Sequence, residues 1–184
     1  KKNIEVIGFD LDKEKIDLLS KSRSYINHIK DEEIKEILDN GFSPTSSYGR
    51  INECDALIIC VPTPLNKNRE PDLSYITKTL EDVSPYLKKG QIIILESTTY
   101  PGTTEEVIGS YLKENEFNLG EDFFLAYSPE REDPGNEDFD TSNIPKIISG
   151  STEACLEICN QIYKKISDKT YPVSSTKAAE MTKL

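Results

Sequence analysis

The chain has 184 residues, 36% of them hydrophobic, and a formal net charge of −11 from 33 acidic and 22 basic side chains. That length suits one domain of ordinary size, or one domain and the start of another, with enough apolar surface for a core. The excess of negative charge repels nucleic-acid phosphates, and no apolar stretch reaches the about 20 residues of a spanning helix. Lys1-Lys2-Asn3 also runs straight into a strand pattern without the apolar core of a secretory leader. A cytoplasmic protein with no nucleic-acid or membrane partner is expected.

The first element, residues 4–9, is a short β-branched strand; Asp10-Leu11-Asp12 follows it, then a helical pattern carrying Ile16, Leu18 and Leu19. Residues 24–50 are more polar, with a short helix predicted around 32–38, ended by Asn40-Gly41, and a serine-rich turn after it. The nearly all-apolar run at 56–61 has the length of a strand buried on both faces, stopped by Pro62-Thr63-Pro64. A helix capped by Asp72 is predicted over 73–87, closing before Lys88-Lys89-Gly90, and 91–95 is a second buried strand. Thr103-Thr104-Glu105-Glu106 opens a helix to about residue 114, and 123–127 reads as a strand that leads into a long acidic loop. A short strand at 147–149, a helix at 153–166, a last strand at 171–173, and a helix capped by Ser174 or Ser175 and still running at Leu184 complete the chain.

Strands that alternate with helices and read as continuous apolar runs imply an α/β, Rossmann-like, doubly wound fold with a mostly parallel sheet. Ligands of such sheets bind beyond the carboxyl ends of the strands. That rule selects Asp10, Pro62-Thr63-Pro64, Ser97-Thr98-Thr99 and Ser128-Pro129-Glu130. An acidic residue at the position of Asp10 accepts hydrogen bonds from adenosine ribose hydroxyls and repels a 2′-phosphate, which favours NAD over NADP; an aspartate there also serves as a turn or cap residue. No Gly-x-Gly-x-x-Gly turn occurs in these residues, so the chain is either no dinucleotide binder or begins at the second strand of one, with the first strand and its glycine-rich turn absent.

The four cysteines, Cys54, Cys60, Cys155 and Cys159, have the spacing of neither a zinc site nor a disulfide scaffold. No metal is expected. Cys155 and Cys159, four apart on a helix, read as small packing residues, Cys60 as a core residue within its strand, and His28, the one histidine, as a surface residue.

Five runs, in order, carry a more specific signal: Val6-Ile7-Gly8-Phe9-Asp10, Cys60-Val61-Pro62-Thr63-Pro64, Glu96-Ser97-Thr98-Thr99-Tyr100-Pro101-Gly102-Thr103-Thr104, Ser128-Pro129-Glu130-Arg131 and Ala179-Glu180-Met181-Thr182-Lys183-Leu184. Together they resemble the UDP-glucose/GDP-mannose dehydrogenase family over nearly the whole chain. The resemblance implies an NAD-dependent enzyme that oxidises the C6 alcohol of a nucleotide-linked sugar to a carboxylate through an aldehyde and an enzyme-bound thioester. It assigns Asp10 and Lys15 to the adenosine ribose and lines the cofactor crevice with Val61, Pro62, Thr63 and Ser97. Thr98 falls beside the nicotinamide and a catalytic water, Glu130 on the glutamate that positions or deprotonates that water, and Lys183 on the lysine that stabilises oxyanions. Glu130, Lys183 and Arg131 are also the candidates for substrate contact, although Glu130 could be merely solvated, Lys183 could pair with Glu180 on a helix surface, and Arg131 with acidic neighbours.

The residues after Glu130, Arg131-Glu132-Asp133-Pro134-Gly135-Asn136, are more similar to the bacterial branch acting on UDP-N-acetylhexosamines for surface polysaccharides, with UDP-N-acetylglucosamine as the first substrate expected. UDP-glucose and UDP-N-acetylmannosamine are the alternatives, and a non-catalytic nucleotide-binding module is the reading from a different class. Residues 1–173 are expected to be the NAD-binding domain and 174–184 the start of the central helix that forms the homodimer core in the family. The thioester nucleophile of the family belongs to a second domain, so this chain alone is not expected to complete the oxidation.

Overall fold

A computed structural model describes residues 4–67, 69–130 and 145–183. The chain divides between Arg50 and Ile51 into two compact units.

In the first unit, β1 (Val6–Phe9) pairs in parallel with β2 (Phe42–Thr45). Between them lie α1 (Lys13–Ser20), capped by the Asp12 side chain on the amides of Glu14 and Lys15, and α2 (Asp31–Asp39). Gly41, at φ +95, makes the left-handed turn that returns the chain into β2. The sequence reading placed a serine-rich turn where β2 lies. Its sequence, Phe-Ser-Pro-Thr, hides a strand, because Pro44 gives up a ladder donor and is tolerated only at an edge.

The second unit is built on a five-stranded sheet in the order β3-β4-β5-β6-β7, with β3 Ala56–Ile59, β4 Ile92–Leu95, β5 Phe124–Tyr127, β6 Lys146–Gly150 and β7 Thr170–Pro172. Every pairing is parallel except that of β5 with β6. The fold is therefore α/β with a mostly parallel sheet, as the alternating pattern required.

β4 is the strand buried on both faces. Ile93 and Leu95 point into a core with Ile76, Leu80, Ile108 and Leu112, while Ile92 and Ile94 meet Ile148, Cys159 and Tyr163 on the other side. β3, expected to be equally buried, leaves Ile58 44% exposed, because among the described residues it pairs only with β4. Gln91 precedes β4 fully buried, and its side chain donates to the carbonyls of Ile51 and Cys54 and accepts from the amide of Lys88, so no polar atom of it is left unpaired.

The helices are α3 (Ser74–Val83), α4 (Ser110–Glu114), α5 (Glu153–Tyr163) and α6 (Thr176–Met181). α4 continues a π-helical stretch, Thr104–Gly109, that the sequence pattern showed only as helix. α6 is capped by Ser175 on the amide of Ala178, and it ends at Met181, so the helix expected to run through Leu184 closes earlier. Leu184 itself lies outside the described residues.

Helix and sheet approach closely at Gly150, the last residue of β6. A Cβ there would lie 2.2 Å from the backbone nitrogen of Leu156 and 2.7 Å from the carbonyl carbon of Cys155. Backbone atoms of a helix cannot rotate away as a side chain can, so Gly150→Ala must separate α5 from β6. We expect a loss of about 3 kcal/mol, the upper end of ordinary overpacking, seen as a fall of about 6–12 °C in the thermal midpoint for a chain of this length. A midpoint within a degree of the parent would show that the approach is looser than described.

Candidate active site

Because β3, β4 and β5 run parallel, their carboxyl ends lie at one end of the sheet, and the segments after them are stitched together. Ser97 Oγ donates to the carbonyl of Val61 at 2.7 Å, and Thr63 Oγ1 donates to the carbonyl of Thr98 at 2.5 Å. Val61, Thr63, Ser97 and Thr98 are thereby brought together as the sequence suggested, with Pro62 exposed between the first two and the Thr98 side chain exposed. The Ser97 hydroxyl is committed to holding the two segments rather than standing free. Thr99 next to them is buried, and its hydroxyl has no hydrogen-bond partner in the structure.

A cluster of charges occupies the same end of the sheet. β6 is antiparallel to β5, with Tyr127 opposite Ser149, and that register continued outward sets Glu130 opposite Lys146. Lys146 Nζ lies 2.6 Å from Glu130 Oε2 and 2.8 Å from Glu96 Oε1. The Tyr163 hydroxyl from α5 donates to the same Glu96 oxygen, and the Cys60 thiol donates to the other at 3.4 Å. Beyond the end of α6, Lys183 Nζ donates to the Glu96 carbonyl at 3.2 Å. Its predicted partner Glu180 is engaged elsewhere, on Gly102 and Thr104.

The electrostatics follow from burial. Desolvation pulls the Lys146 ammonium down, but Coulomb attraction to Glu96 and the hydrogen bonds to Glu130 and Glu96 outweigh it, so its pKa ends above the ordinary lysine value. Lys183 goes the other way. Burial lowers its pKa, and the positive charge of Lys146 adds to that against the pull of Glu130 and Glu96. Burial and then the charge of Glu96 push the Cys60 thiol up to about 12, and the Tyr163 hydroxyl rises for the same reasons.

Cys60, expected as a core residue, is exposed as a residue just past the end of β3, but its sulfur turns in to Glu96, and the raised pKa leaves almost no thiolate near neutrality. Cys155 and Cys159 are buried, as their shared helix face required, and His28 is exposed. Arg131 lies outside the described residues.

In the first unit, Asp10 directly follows β1. Its Oδ1 accepts from the amide of Asp12 at 2.9 Å, and its Oδ2 pairs with Lys15 Nζ at 3.3 Å. A carboxylate has about four acceptor sites, so this partly exposed side chain keeps capacity for a diol such as a ribose. That donor set fits the ribose of a dinucleotide. No residue of the chain offers the glycine-rich turn that grips a pyrophosphate.

The sequence reading missed Lys146 and Tyr163. Both are distant in the chain from Glu96, and the available signal was the antiparallel return of β6, which cannot be read from residue pattern alone.

Comparison with known proteins identifies the family. The UDP-glucose/GDP-mannose dehydrogenase family, NAD binding domain, matches residues 1–167. The chain belongs to that family. It is 38% identical over its whole length to UDP-N-acetyl-D-glucosamine 6-dehydrogenase of Salmonella typhi, covering 43% of that protein, and 36% identical over 97% of its length to the same-named enzyme of Pseudomonas aeruginosa, covering 42%. Among solved structures it matches the UDP-N-acetyl-mannosamine dehydrogenase Cap5O of Staphylococcus aureus with a TM-score of 0.89 and 31% identity, covering all of this chain and 44% of that one. The chain thus spans less than half the length of these relatives. As the NAD-binding domain of a dehydrogenase family, its cofactor is NAD.

Proposed function

We propose that this chain is the cofactor-binding and water-activating half of an NAD-dependent UDP-N-acetylhexosamine 6-dehydrogenase, acting first on UDP-N-acetylglucosamine. The observation that carries the reading is the placement of Lys183 on the Glu96 carbonyl, where Glu130 is near enough to act on its charge.

An alcohol that loses a hydride must also lose a proton, so the reaction needs a base and a fixed positive charge at the developing alkoxide. When bound, NAD supplies the hydride acceptor. Glu130, with its side chain 35% exposed, takes the role of the base that holds or deprotonates a water. The Thr98 hydroxyl orients that water, and the Lys183 ammonium faces the oxyanion. Asp10 and Lys15 are assigned to the adenosine ribose, and Val61, Pro62, Thr63 and Ser97 to the walls of the cofactor crevice. The resemblance puts the thioester nucleophile in a second domain, so it is assigned to none of the four cysteines here; Cys155 and Cys159 are moreover buried and Cys60 resists ionisation.

The preference for the N-acetylglucosamine sugar rests on the two relatives named for that substrate at 38% and 36% identity. The 31% identity to the mannosamine enzyme of Staphylococcus aureus supports UDP-N-acetylmannosamine as the second reading. The full-length gene product, given NAD⁺ and UDP-N-acetylglucosamine, UDP-N-acetylmannosamine or UDP-glucose, is expected to form two NADH per sugar, with kcat/KM about tenfold higher on the first; a tenfold gap is within what pocket contacts worth about 1–3 kcal/mol supply. A higher value on UDP-N-acetylmannosamine would transfer the assignment to that sugar. One NADH per sugar would end the four-electron reading, and none with any of the three would end the enzyme reading.

A further inference from the structure

Glu130 sits three residues past the end of β5, in a segment with no regular structure. A general base must be held to within a fraction of an ångström and about 10–20° of its working geometry. The geometry points to Lys146 as the positioning residue for Glu130: its ammonium, anchored on the buried Glu96 carboxylate, grips the Glu130 carboxylate from the first residue of β6, a strand paired on both sides. This inference rests on the role given to Glu130 above.

Three features separate Lys146 from an ordinary structural ion pair. Its side chain is only 9% exposed and begins on a strand, so its own position is fixed. Its ammonium lies over the Tyr163 ring, 5.4 Å from the centroid, and Tyr163 also donates to Glu96, so ring, carboxylate and ammonium constrain one another. Glu96 already engages Lys146, Tyr163 and Cys60 and is 9% exposed at its side chain, whereas Glu130, on the same ammonium, is 35% exposed. One carboxylate is the anchor and the other faces outward to work.

The arrangement also solves a charge problem. Glu96 and Glu130 share one cation, and without it two carboxylates would face each other in a partly dry site, which forces one of them to hold a proton. Among the described residues, the groups around Glu130 are Lys146 on β6, Glu96 after β4, Cys60 after β3 and Lys183 after α6. Tyr163 on α5 reaches the cluster through Glu96. Of these two cations, Lys146 is hydrogen-bonded to a carboxylate and Lys183 to a backbone carbonyl.

The first test needs no turnover. In the chain labelled with ¹³C at glutamate side chains, with the Glu130 signal assigned by its loss in Glu130→Gln, Lys146→Met is expected to raise the Glu130 titration midpoint by about one pH unit, the lower end of what an adjacent opposite charge contributes. Lys146→Arg is expected to leave it in place. An unchanged midpoint in folded Lys146→Met overturns the inference.

The second test is kinetic, in the full-length gene product. Lys146→Met lowers kcat about 30- to 100-fold, the scale of a misplaced catalytic group, with KM for NAD⁺ within about threefold because the cofactor contacts are untouched. The acid limb of the pH profile moves up with the midpoint, and Lys146→Arg restores most of kcat. In a Glu130→Gln background Lys146→Met costs little more, since nothing remains to position; multiplying losses overturn the inference. If Lys146→Met does not fold, Lys146→Arg decides: activity as low as that of Glu130→Gln rejects a role for the positive charge. If no UDP-sugar is oxidised at all, the function proposed above fails, and the titration still decides whether Lys146 controls Glu130.

Discussion

Lys183→Ala in the full-length gene product is expected to lower kcat about 1000-fold, about 4 kcal/mol of barrier, while KM for NAD⁺ changes less than about threefold. A fixed donor or cation aimed at a developing oxyanion contributes on that scale when it is removed. The effect falls on kcat because the charge it meets exists only as the reaction proceeds. Among the described residues Lys183 Nζ donates to one backbone carbonyl, that of Glu96, which leaves it donor capacity for a ligand. Its depressed pKa gives the result a pH signature. The ammonium is the working form, so activity holds below the folded-state pKa and is lost as pH rises through it, beginning at lower pH than an ordinary lysine would allow. Lys183→Arg stays charged throughout this range and removes that alkaline limb even where its longer head lowers kcat. If kcat survives in Lys183→Ala, or if the alkaline limb persists in Lys183→Arg, the oxyanion role belongs to another group.

The chain shows how unevenly a site is written into sequence. The buried run Ile92–Leu95 and the segments after β3, β4 and β5 were legible because parallel strands covered on both faces need continuous apolar residues, and topology then puts their carboxyl ends together. Thr98, Glu130 and Lys183 were singled out by motif order, and the fold of the second unit brings their segments toward one end of the sheet. Lys146 was not found, because a lysine opening a short strand carries no local mark, and only the reversal of β6 sets it opposite Glu130. β2 was lost to its own composition, since Ser43 and Pro44 outweigh Phe42 in any propensity reading. Burial of β3 was overstated for a related reason: apolar composition reports what a strand can bury, whereas exposure of Ile58 depends on which strands lie beside it.

Glu180 shows the same limit in a residue whose loss should be nearly as severe. Three residues before Lys183, it looked like a surface glutamate able to pair along its helix, yet its side chain is completely buried. Oε1 accepts from the amide and hydroxyl of Thr104 at 2.8 and 2.7 Å, and Oε2 accepts from the amide of Gly102 at 2.5 Å. The carboxylate of α6 thus caps the helical stretch that opens at Thr104, where free amides and the helix dipole favour negative charge. Gly102 turns into that cap at φ +111, a conformation that side chains resist. Glu180→Ala leaves three buried donors without an acceptor and opens a cavity, and we expect a loss of about 4 kcal/mol. At about 2–4 °C per kcal/mol the thermal midpoint falls by about 8–16 °C. Glu180→Gln turns a donor toward one of these donors and recovers only part of the loss. Lys177→Ala, which breaks the exposed pair with Glu106 on the same helix, leaves the midpoint where it was. Equal midpoints for Glu180→Ala and Lys177→Ala would show that the cap does not hold α6. A large fall for Glu180→Ala alone would show that α6, the helix that leads to Lys183, is held in place by this buried carboxylate.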